Sequence, residues 1–198
     1  MTVKHNRPAE LRSETIQLDY NQFSEELVAA SLALGELKAS HEELKNQTLL
    51  ISPLTAKEAE VSSRIEGTVS TVSDMFKFDA GALPERDQDT RQVSNYRIAM
   101  RWGIAQLEEG RKINSTLVRG MHQLLLTKVR HSGPLGQFRD EIVWIGERQT
   151  DPIEKALYIP PEPVHVPAYM DNFFEYLKEG KESSLIKAGI AHYQFEEV

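Results

Sequence analysis

The sequence predicts a mostly α-helical fold with one β-hairpin, and two observations lead to this prediction. Apolar residues recur at helical spacing over most of the chain, and glycine or proline stands where several of these runs end. Residues 136–159 depart from the pattern, because two short β-rich runs at 138–146 and 157–159 flank a polar loop. We therefore expect helices throughout, except for a hairpin at 136–159.

The composition is typical of a soluble globular protein of one or two domains. The 198 residues are 40% hydrophobic and 27% charged, and the formal net charge of −7 does not favour binding to nucleic-acid phosphates. The absence of cysteine excludes disulfides and thiolate metal sites. No apolar run approaches the length of a membrane span, and residues 1–12 are too polar for a secretory signal. We therefore expect a cytoplasmic protein that binds neither nucleic acid nor membrane.

The first part of the chain, residues 1–54, is predicted to be an N-terminal helical region. Residues 1–20 look irregular, and the helix that follows carries an apolar stripe that starts at Phe23. A short helical piece at 40–45 and a turn at 46–53 are expected to complete this region.

The next helix is predicted to begin after the N-cap Thr55, because Glu58 lies three residues further on and completes a capping box. Gly67 marks its end, so Glu66 falls in the last turn. Ser62 and Glu66 are four residues apart and share one helix face. By themselves these residues are equally well explained as a solvated glutamate before a glycine cap.

The remaining residues are predicted to alternate helices with turns, apart from the hairpin. A linker is expected at 79–87, and Asn114 with Ser115 is expected to cap a helix whose edge carries His122 as a packed side chain, not as a metal ligand. The histidines show no zinc-site spacing, and no Ser-His-Asp set stands out. The predicted helices run from 68 to about 78, from about 90 to 109, from 115 through 125, from 166 or 167 to 180, and from 183 or 184 to the end.

Six stretches, in the right order, resemble the Fic family of protein adenylyltransferases. EAEVSSRIEGT resembles the inhibitory helix that one subgroup carries ahead of its catalytic core, and GQFRDEIVWIG resembles the target-docking β-hairpin called the flap. The resemblance implies a Fic-like helical bundle. The six stretches are ALGEL at 33–37, EAEVSSRIEGT at 58–68, NSTLVRGMHQLLL at 114–126, GQFRDEIVWIG at 136–146, YIPPEPVHVP at 158–167 and AHYQFEEV at 191–198.

The resemblance implies roles for two groups of residues. Glu66 matches the inhibitory glutamate, and Ser62 matches the hydroxyl position one turn before it. The flap would dock a target protein by pairing its strand edge with the target's backbone. For its apolar side chains, packing beneath the loop explains the residues as well as target contact does. The flap candidates are Gln137, Phe138, Arg139, Val143, Trp144 and Ile145.

The resemblance also implies a division of the chain. Residues 1–54 form the N-terminal helical region, 55–78 the inhibitory helix segment, and 79–198 the N-terminal part of the Fic core with the flap at 136–159. The family signature HPFxDGNGR directly follows the stretch that 191–198 matches, and the sequence contains no such segment. We therefore expect a chain truncated before that motif, lacking the C-terminal part of the core, with no catalytic residue to name and no activity by itself.

In the complete protein, the resemblance implies transfer of AMP from ATP, with Mg²⁺ bound, to a hydroxyl of a target protein. The inhibitory glutamate would compete for the place of the ATP γ-phosphate. An alternative from a different class is a non-enzymatic helical module that binds a protein partner through the flap and the N-terminal helices. A homo-oligomer is compatible with either interpretation.

Overall fold

A computed structural model describes residues 4–12, 16–43, 47–65, 67, 69–81, 88–131, 133–148 and 150–198, with the side chains of 47–52 and 79 left aside. The described part is mostly helical, as predicted. Two compact units are formed, one by residues 1–35 with 138–198 and the other by residues 36–137. The α-helices are α1 (Ser24–Glu42), α2 (Gln47–Ile65), α3 (Val72–Asp79), α4 (Gln88–Glu108), α5 (Ser115–Leu125), α6 (Val166–Glu179) and α7 (Ser184–Glu197). Short 3-10 helices lie at Tyr20–Gln22, Ile153–Lys155 and Pro163–His165.

In the unit of residues 36–137, α2, α3 and α4 share one apolar core. Its fully buried members are contributed by all three helices and are Ala56, Ala59, Met75 and Val93. Helix α5 packs on α4 at two glycines: a Cβ at Gly103 would lie 2.8 Å from Sδ of Met121, and one at Gly120 would lie 2.5 Å from the Trp102 ring. Glycine is therefore required where the two helices approach each other.

Two predictions about α2 are wrong. The helix begins at Gln47, so the turn predicted at 46–53 is helical over its described residues, and Asn46 lies outside them. Thr55 lies inside the helix and does not cap it. Pro53, the last residue of the predicted turn, lies within the helix and removes one backbone donor there. Burial of Ala56 in the core one turn later stabilises helical geometry at this point, and tertiary packing thus outweighs the local signal.

Helix α3 begins at Val72, four residues later than predicted. Thr71 is its N-cap: the Thr71 hydroxyl accepts a hydrogen bond from the Asp74 amide at 3.2 Å, and the Asp74 carboxylate accepts one from the Thr71 amide at 3.3 Å. This reciprocal capping box fixes where the helix starts. Thr68, where the helix was expected to begin, lies outside the described residues, as do 82–87 of the predicted linker.

In the unit of residues 1–35 with 138–198, α6 and α7 pack together around an apolar cluster. The buried members of this cluster are Val166, Met170, Phe173 and Ala191. The polar Gln194 of α7 is also buried, and its amide donates to the carbonyl of Ala9 at 3.2 Å. Asn172 of α6 bonds both the amide of Leu11, at 2.7 Å, and its carbonyl, at 3.2 Å. Residues 4–12, irregular as predicted, are therefore held on this helix pair.

The predicted β-hairpin is not seen among the described residues, which show a single antiparallel bridge in its place. Ile145 pairs with Tyr158, and the two β-rich runs that the sequence indicated meet at this pair. The Ile145 amide donates to the Tyr158 carbonyl at 2.9 Å, and the Leu157 amide donates to the Ile145 carbonyl at 2.8 Å. A two-stranded ladder is not seen among the described residues of 138–159. None of the described helices is long and apolar enough to cross a membrane.

Helix α5 begins as predicted, with the Asn114 side chain accepting a hydrogen bond from the Leu117 amide. His122 is a packed side chain whose Nδ1 accepts from the Gly136 amide at 3.0 Å, while Nε of Arg119 donates to the Gly136 carbonyl at 2.7 Å. Burial, and after it the charge of His131, lowers the pKa of His122. The neutral imidazole is the form that can accept from the amide.

We expect this histidine to make stability depend on pH. The pKa of His122 is lower in the folded chain than its ordinary 6.5. Its contribution to the stability of the fold is therefore complete above pH 6.5 and is lost as the pH falls below that value. His122→Asn keeps an acceptor near the Nδ1 position but does not titrate. Urea unfolding at about pH 8 and about pH 5.5 should show a larger loss of stability in wild type than in the variant. An equal loss of stability in wild type and in the variant would contradict the role of His122 as a neutral acceptor.

Candidate functional site

The flap candidates from Phe138 onward all lie in one segment, residues 138–146, which we name the first arm. Residues 157–161 of the same unit meet this segment, and we name them the return arm. Phe138 packs against the α6–α7 cluster. The adjacent Arg139 donates from Nη2 to the Pro161 carbonyl at 2.6 Å and to the Val198 carbonyl at 2.9 Å. The start of the first arm is therefore anchored to the return arm and to the residue that follows α7.

Burial lowers the pKa of Arg139 from its ordinary value, and the charge interaction with Tyr158 opposes this shift. A guanidinium has several fixed donors, so one side chain can serve two carbonyls of different segments at once. The packing explanation therefore accounts for Phe138, and a hydrogen-bonded structural role accounts for Arg139.

The middle of the first arm is exposed. Val143, Trp144 and Ile145 keep 44%, 40% and 61% of their surface accessible. Trp144 is oriented by its indole Nε1, which donates to the Asp151 carbonyl at 2.9 Å. Packing beneath a loop does not explain these three side chains, because much of each one faces solvent.

Main-chain groups in the middle of the first arm form an open edge. Among the described residues, no backbone–backbone hydrogen bond involves Ile142, Val143 or Trp144, whereas the next residue, Ile145, is bridged to Tyr158. Unpaired donors and acceptors beside exposed apolar side chains are the features of a strand edge that can accept another strand. We name residues 142–144 the open edge.

A tight turn follows the first arm. The Arg148 amide donates to the Asp151 carboxylate at 3.0 Å, and the Asp151 amide donates to the Arg148 carbonyl at 3.0 Å. A Cβ at Gly146 would lie 2.9 Å from Cβ of Asp151, so the turn leaves no room for a larger residue there. This turn places the Asp151 carbonyl where the Trp144 indole can donate to it.

Gln137, the remaining flap candidate, belongs to the other unit, where it is exposed. It directly follows Gly136, which has a φ of 62° and whose amide and carbonyl are both held by side chains of α5. A Cβ at Gly136 would lie 3.0 Å from the Arg119 carbonyl. Both the positive φ and the lack of space for a side chain therefore favour glycine at this position.

Of the two inhibitory-helix candidates, Ser62 lies near the end of α2. Ser62 is half-buried, and its hydroxyl donates to Oε1 of Glu58 at 2.7 Å, one turn towards the helix start. Glu66 lies outside the described residues. Within the described part of the chain, no three His, Cys, Asp or Glu side chains are arranged to bind a metal ion.

Residues on both sides of Glu66 are held in place. Glu60 is buried and forms ion pairs with Lys57 at 3.1 Å and with Arg64, and the Lys57 bond is the largest cause that lowers its pKa. Beyond the helix, the hydroxyls of Ser70 and Thr90 form a buried hydrogen bond of 2.8 Å. Because Ala56 and Ala59 share a core with Met75 and Val93, α2 is also tied to α3 and α4.

Comparison with known families places both halves of the chain. The model of the Fic/DOC family N-terminal region matches residues 24–105, and the model of the Fic/DOC family matches residues 112–198. This chain carries Fic/DOC family domains. A solved structure described as a Fic family protein from Desulfovibrio desulfuricans G20 has a similar fold, with a TM-score of 0.63 at 17% sequence identity. The similarity covers 86% of this chain and 50% of that one, so the chain spans about half the length of the solved Fic protein.

The sequence did not reveal one polar cluster in the unit of residues 1–35 with 138–198. Asn6, Tyr158 and Glu197 are joined by hydrogen bonds of 2.6 to 2.8 Å, although they lie far apart in the chain. Tyr158 and Glu197 fall within stretches that resemble the Fic family, but the resemblance attached no role to them. Asn6 lies in a segment that shows no periodicity, and no sequence signal could have identified it.

Proposed function

We propose that this chain is part of a Fic-type protein adenylyltransferase, which transfers AMP from ATP to a hydroxyl group of a target protein. The observation that supports the proposal most strongly is the match of the Fic/DOC family model to residues 112–198. In this reaction the target oxygen bonds to the α-phosphorus, the bond to pyrophosphate breaks, and a histidine of the HPFxDGNGR segment accepts the hydroxyl proton.

The HPFxDGNGR segment, which would also hold ATP and Mg²⁺, does not occur in the 198 residues. When bound, Mg²⁺ would neutralise charge on the phosphates. In this proposal the described residues have two other tasks, which are to dock the target protein and to restrain the enzyme. The open edge supports the first task, and the tethered end of α2 supports the second.

Target docking is proposed to occur by strand addition at the open edge. The free amides and carbonyls of 142–144 can pair with the backbone of any extended segment, whereas the exposed side chains of Val143 and Trp144 add apolar contact area. Backbone pairing does not depend on the target's side chains, so this mode suits an enzyme that recognises an extended segment near the modified hydroxyl.

Substitution of Ile142 tests this docking mode. Ile145 directs its main-chain groups to the return arm, so alternation along an extended chain turns those of Ile142 to the other side. Ile142→Pro removes one backbone donor from the open edge, and Ile142→Ala keeps it. In a chain that carries HPFxDGNGR, we expect the KM for the target protein to rise about tenfold in the proline variant, equivalent to about 1.4 kcal/mol, and to change little in the alanine variant. Equal KM values for the two variants would exclude backbone pairing at this position.

We further propose that Glu66 restrains the enzyme. Its carboxylate would occupy the place of the γ-phosphate and bind an arginine that would otherwise bind ATP. What supports this proposal among the described residues is that the chain is restrained on both sides of position 66, since Glu60 and Ser70 are buried and bonded.

Labelling with radioactive ATP tests both the transfer and the restraint. In a chain that carries HPFxDGNGR, with Mg²⁺ and a cell lysate, Glu66→Gly should raise labelling about tenfold or more, because it removes the competing charge. Glu66→Gln should raise it less, and Glu36→Gln, the same change at an exposed position of α1, should leave it unchanged. The 198-residue chain alone should not be labelled above a blank.

The outcomes separate the alternatives. Labelling that is independent of Glu66 would support adenylyl transfer and exclude the inhibitory role. No labelling in any variant that carries the motif would contradict the enzyme and favour the non-enzymatic helical interaction module. Labelling by the 198 residues alone would contradict the expectation that they are inactive.

A further inference from the structure

The N-terminal segment 4–12 lies along the return arm. The Asn6 amide donates to the Ile159 carbonyl at 2.7 Å, and Nδ1 of His5 donates to the Pro160 carbonyl at 2.8 Å. Because successive residues of an extended chain direct their main-chain groups to opposite sides, Tyr158 pairs with Ile145 on one side while Ile159 pairs with Asn6 on the other. The N-terminal segment therefore covers the return-arm edge that is turned away from the first arm.

The side chain of Asn6 completes a closed set of hydrogen bonds. Its Nδ2 donates to the Tyr158 hydroxyl at 2.8 Å and to Oε2 of Glu197 at 2.6 Å, and the Tyr158 hydroxyl donates to the Glu197 carbonyl at 2.6 Å. An amide nitrogen has two protons and a hydroxyl has one, so every donor in the set is used. A carboxylate can only accept, which requires the amide nitrogen of Asn6, and not its oxygen, to face Glu197.

Tyr158 connects this set to the flap. Its hydroxyl is bonded to Asn6 and Glu197, and its main chain forms the bridge with Ile145 at the end of the open edge. Fixing the ring therefore limits how far the return arm can slide or rotate against the first arm. A strand that docks by backbone pairing needs such a fixed register, because a shift of one residue reverses which groups face it.

We propose that Asn6 is a positioning residue for the open edge. It acts through Tyr158 and Glu197 to hold the return arm, and the Ile145–Tyr158 bridge transmits this restraint to residues 142–144. The inference deepens the proposed function and rests on it only for the statement that the open edge docks a target.

Two other contacts of the N-terminal segment provide a control. Asn172 bonds Leu11 and Gln194 bonds Ala9, so the segment is attached to α6 and α7 independently of the flap. Asn172→Ala removes one of these attachments and leaves the Asn6 set intact. A residue that only helps to dock the segment should behave like Asn172, whereas a positioning residue should not.

Amide hydrogen exchange of the 198-residue chain, followed by NMR, tests the inference. Two amides report on the bridge: that of Ile145, bonded to the Tyr158 carbonyl, and that of Leu157, bonded to the Ile145 carbonyl. We expect Asn6→Ala and Tyr158→Phe to lower the protection of both amides about tenfold and Asn172→Ala to leave it unchanged. Tyr158→Phe keeps the ring, so it tests the hydroxyl bonds even if Asn6→Ala folds poorly.

A charge variant gives a readout that a purely structural role would not. Asn6→Asp would place a second carboxylate against Glu197, so protection should be low near neutral pH and should recover when one of the two carboxyls is protonated, at about pH 4 to 5. Tyr193 and Arg139 also interact with Tyr158, and His5, next to Asn6, is bonded to the Pro160 carbonyl. Asn6→Ala keeps these three groups and should not recover, so the variant controls for them.

Three results would overturn the inference: wild-type protection of both amides in Asn6→Ala, an equal loss in Asn172→Ala, or no recovery of Asn6→Asp at low pH. None of these measurements uses ATP or a target protein. Failure of the adenylyltransferase proposal would therefore leave a positive result standing, and a negative result here would leave that proposal standing.

Discussion

The arrangement of the flap depends on the guanidinium of Arg139. One nitrogen of this group donates to the carbonyls of Pro161 and Val198, which belong to the return arm and to the chain just beyond α7. With the adjacent Phe138 packed into the α6–α7 cluster, this bond fixes where the first arm leaves the helical body. The exposed residues further along therefore start from a held position.

Held and exposed residues alternate along the flap candidates, and this pattern bears on the proposed docking of a target strand. Phe138 and Arg139 are held, residues 142–144 are open, and Ile145 is bridged again to Tyr158. A flexible open segment would lose conformational entropy each time it paired with a target, about 1 to 2 kcal/mol per ordered residue. An edge that is anchored at both ends loses less, so a docking strand retains more of the energy gained from backbone pairing.

Local signals in the sequence predicted those elements whose ends are set by local chemistry. Asn114 caps α5 and Gly180 ends α6, as their residue types indicate. The β-rich runs meet only at the bridge of Ile145 with Tyr158, without the predicted hairpin among the described residues. The start of α2 was wrongly predicted, since burial of Ala56 keeps the chain helical across Pro53 and this packing is not local.

The candidate site could be predicted only in part, for the same reason. The resemblance to the Fic family named the flap candidates, but their separation into the anchors Phe138 and Arg139 and the exposed Val143 to Ile145 appears only when the helices are in place. Asn6 and Glu197 are bonded across 191 positions of the chain, a distance over which neither spacing nor propensity carries information.

The anchoring role of Arg139 is tested most directly by unfolding in urea, followed by Trp144 fluorescence in a chain whose Trp102 is replaced by phenylalanine. Arg139→Met should lower the free energy of unfolding reported by Trp144 by about 1.5 to 3 kcal/mol, because hydrogen bonds from a charged donor are lost. Arg148→Met, the same change at an exposed arginine of the flap turn, should lower it by less than about 0.5 kcal/mol. Equal effects of the two substitutions would contradict the account.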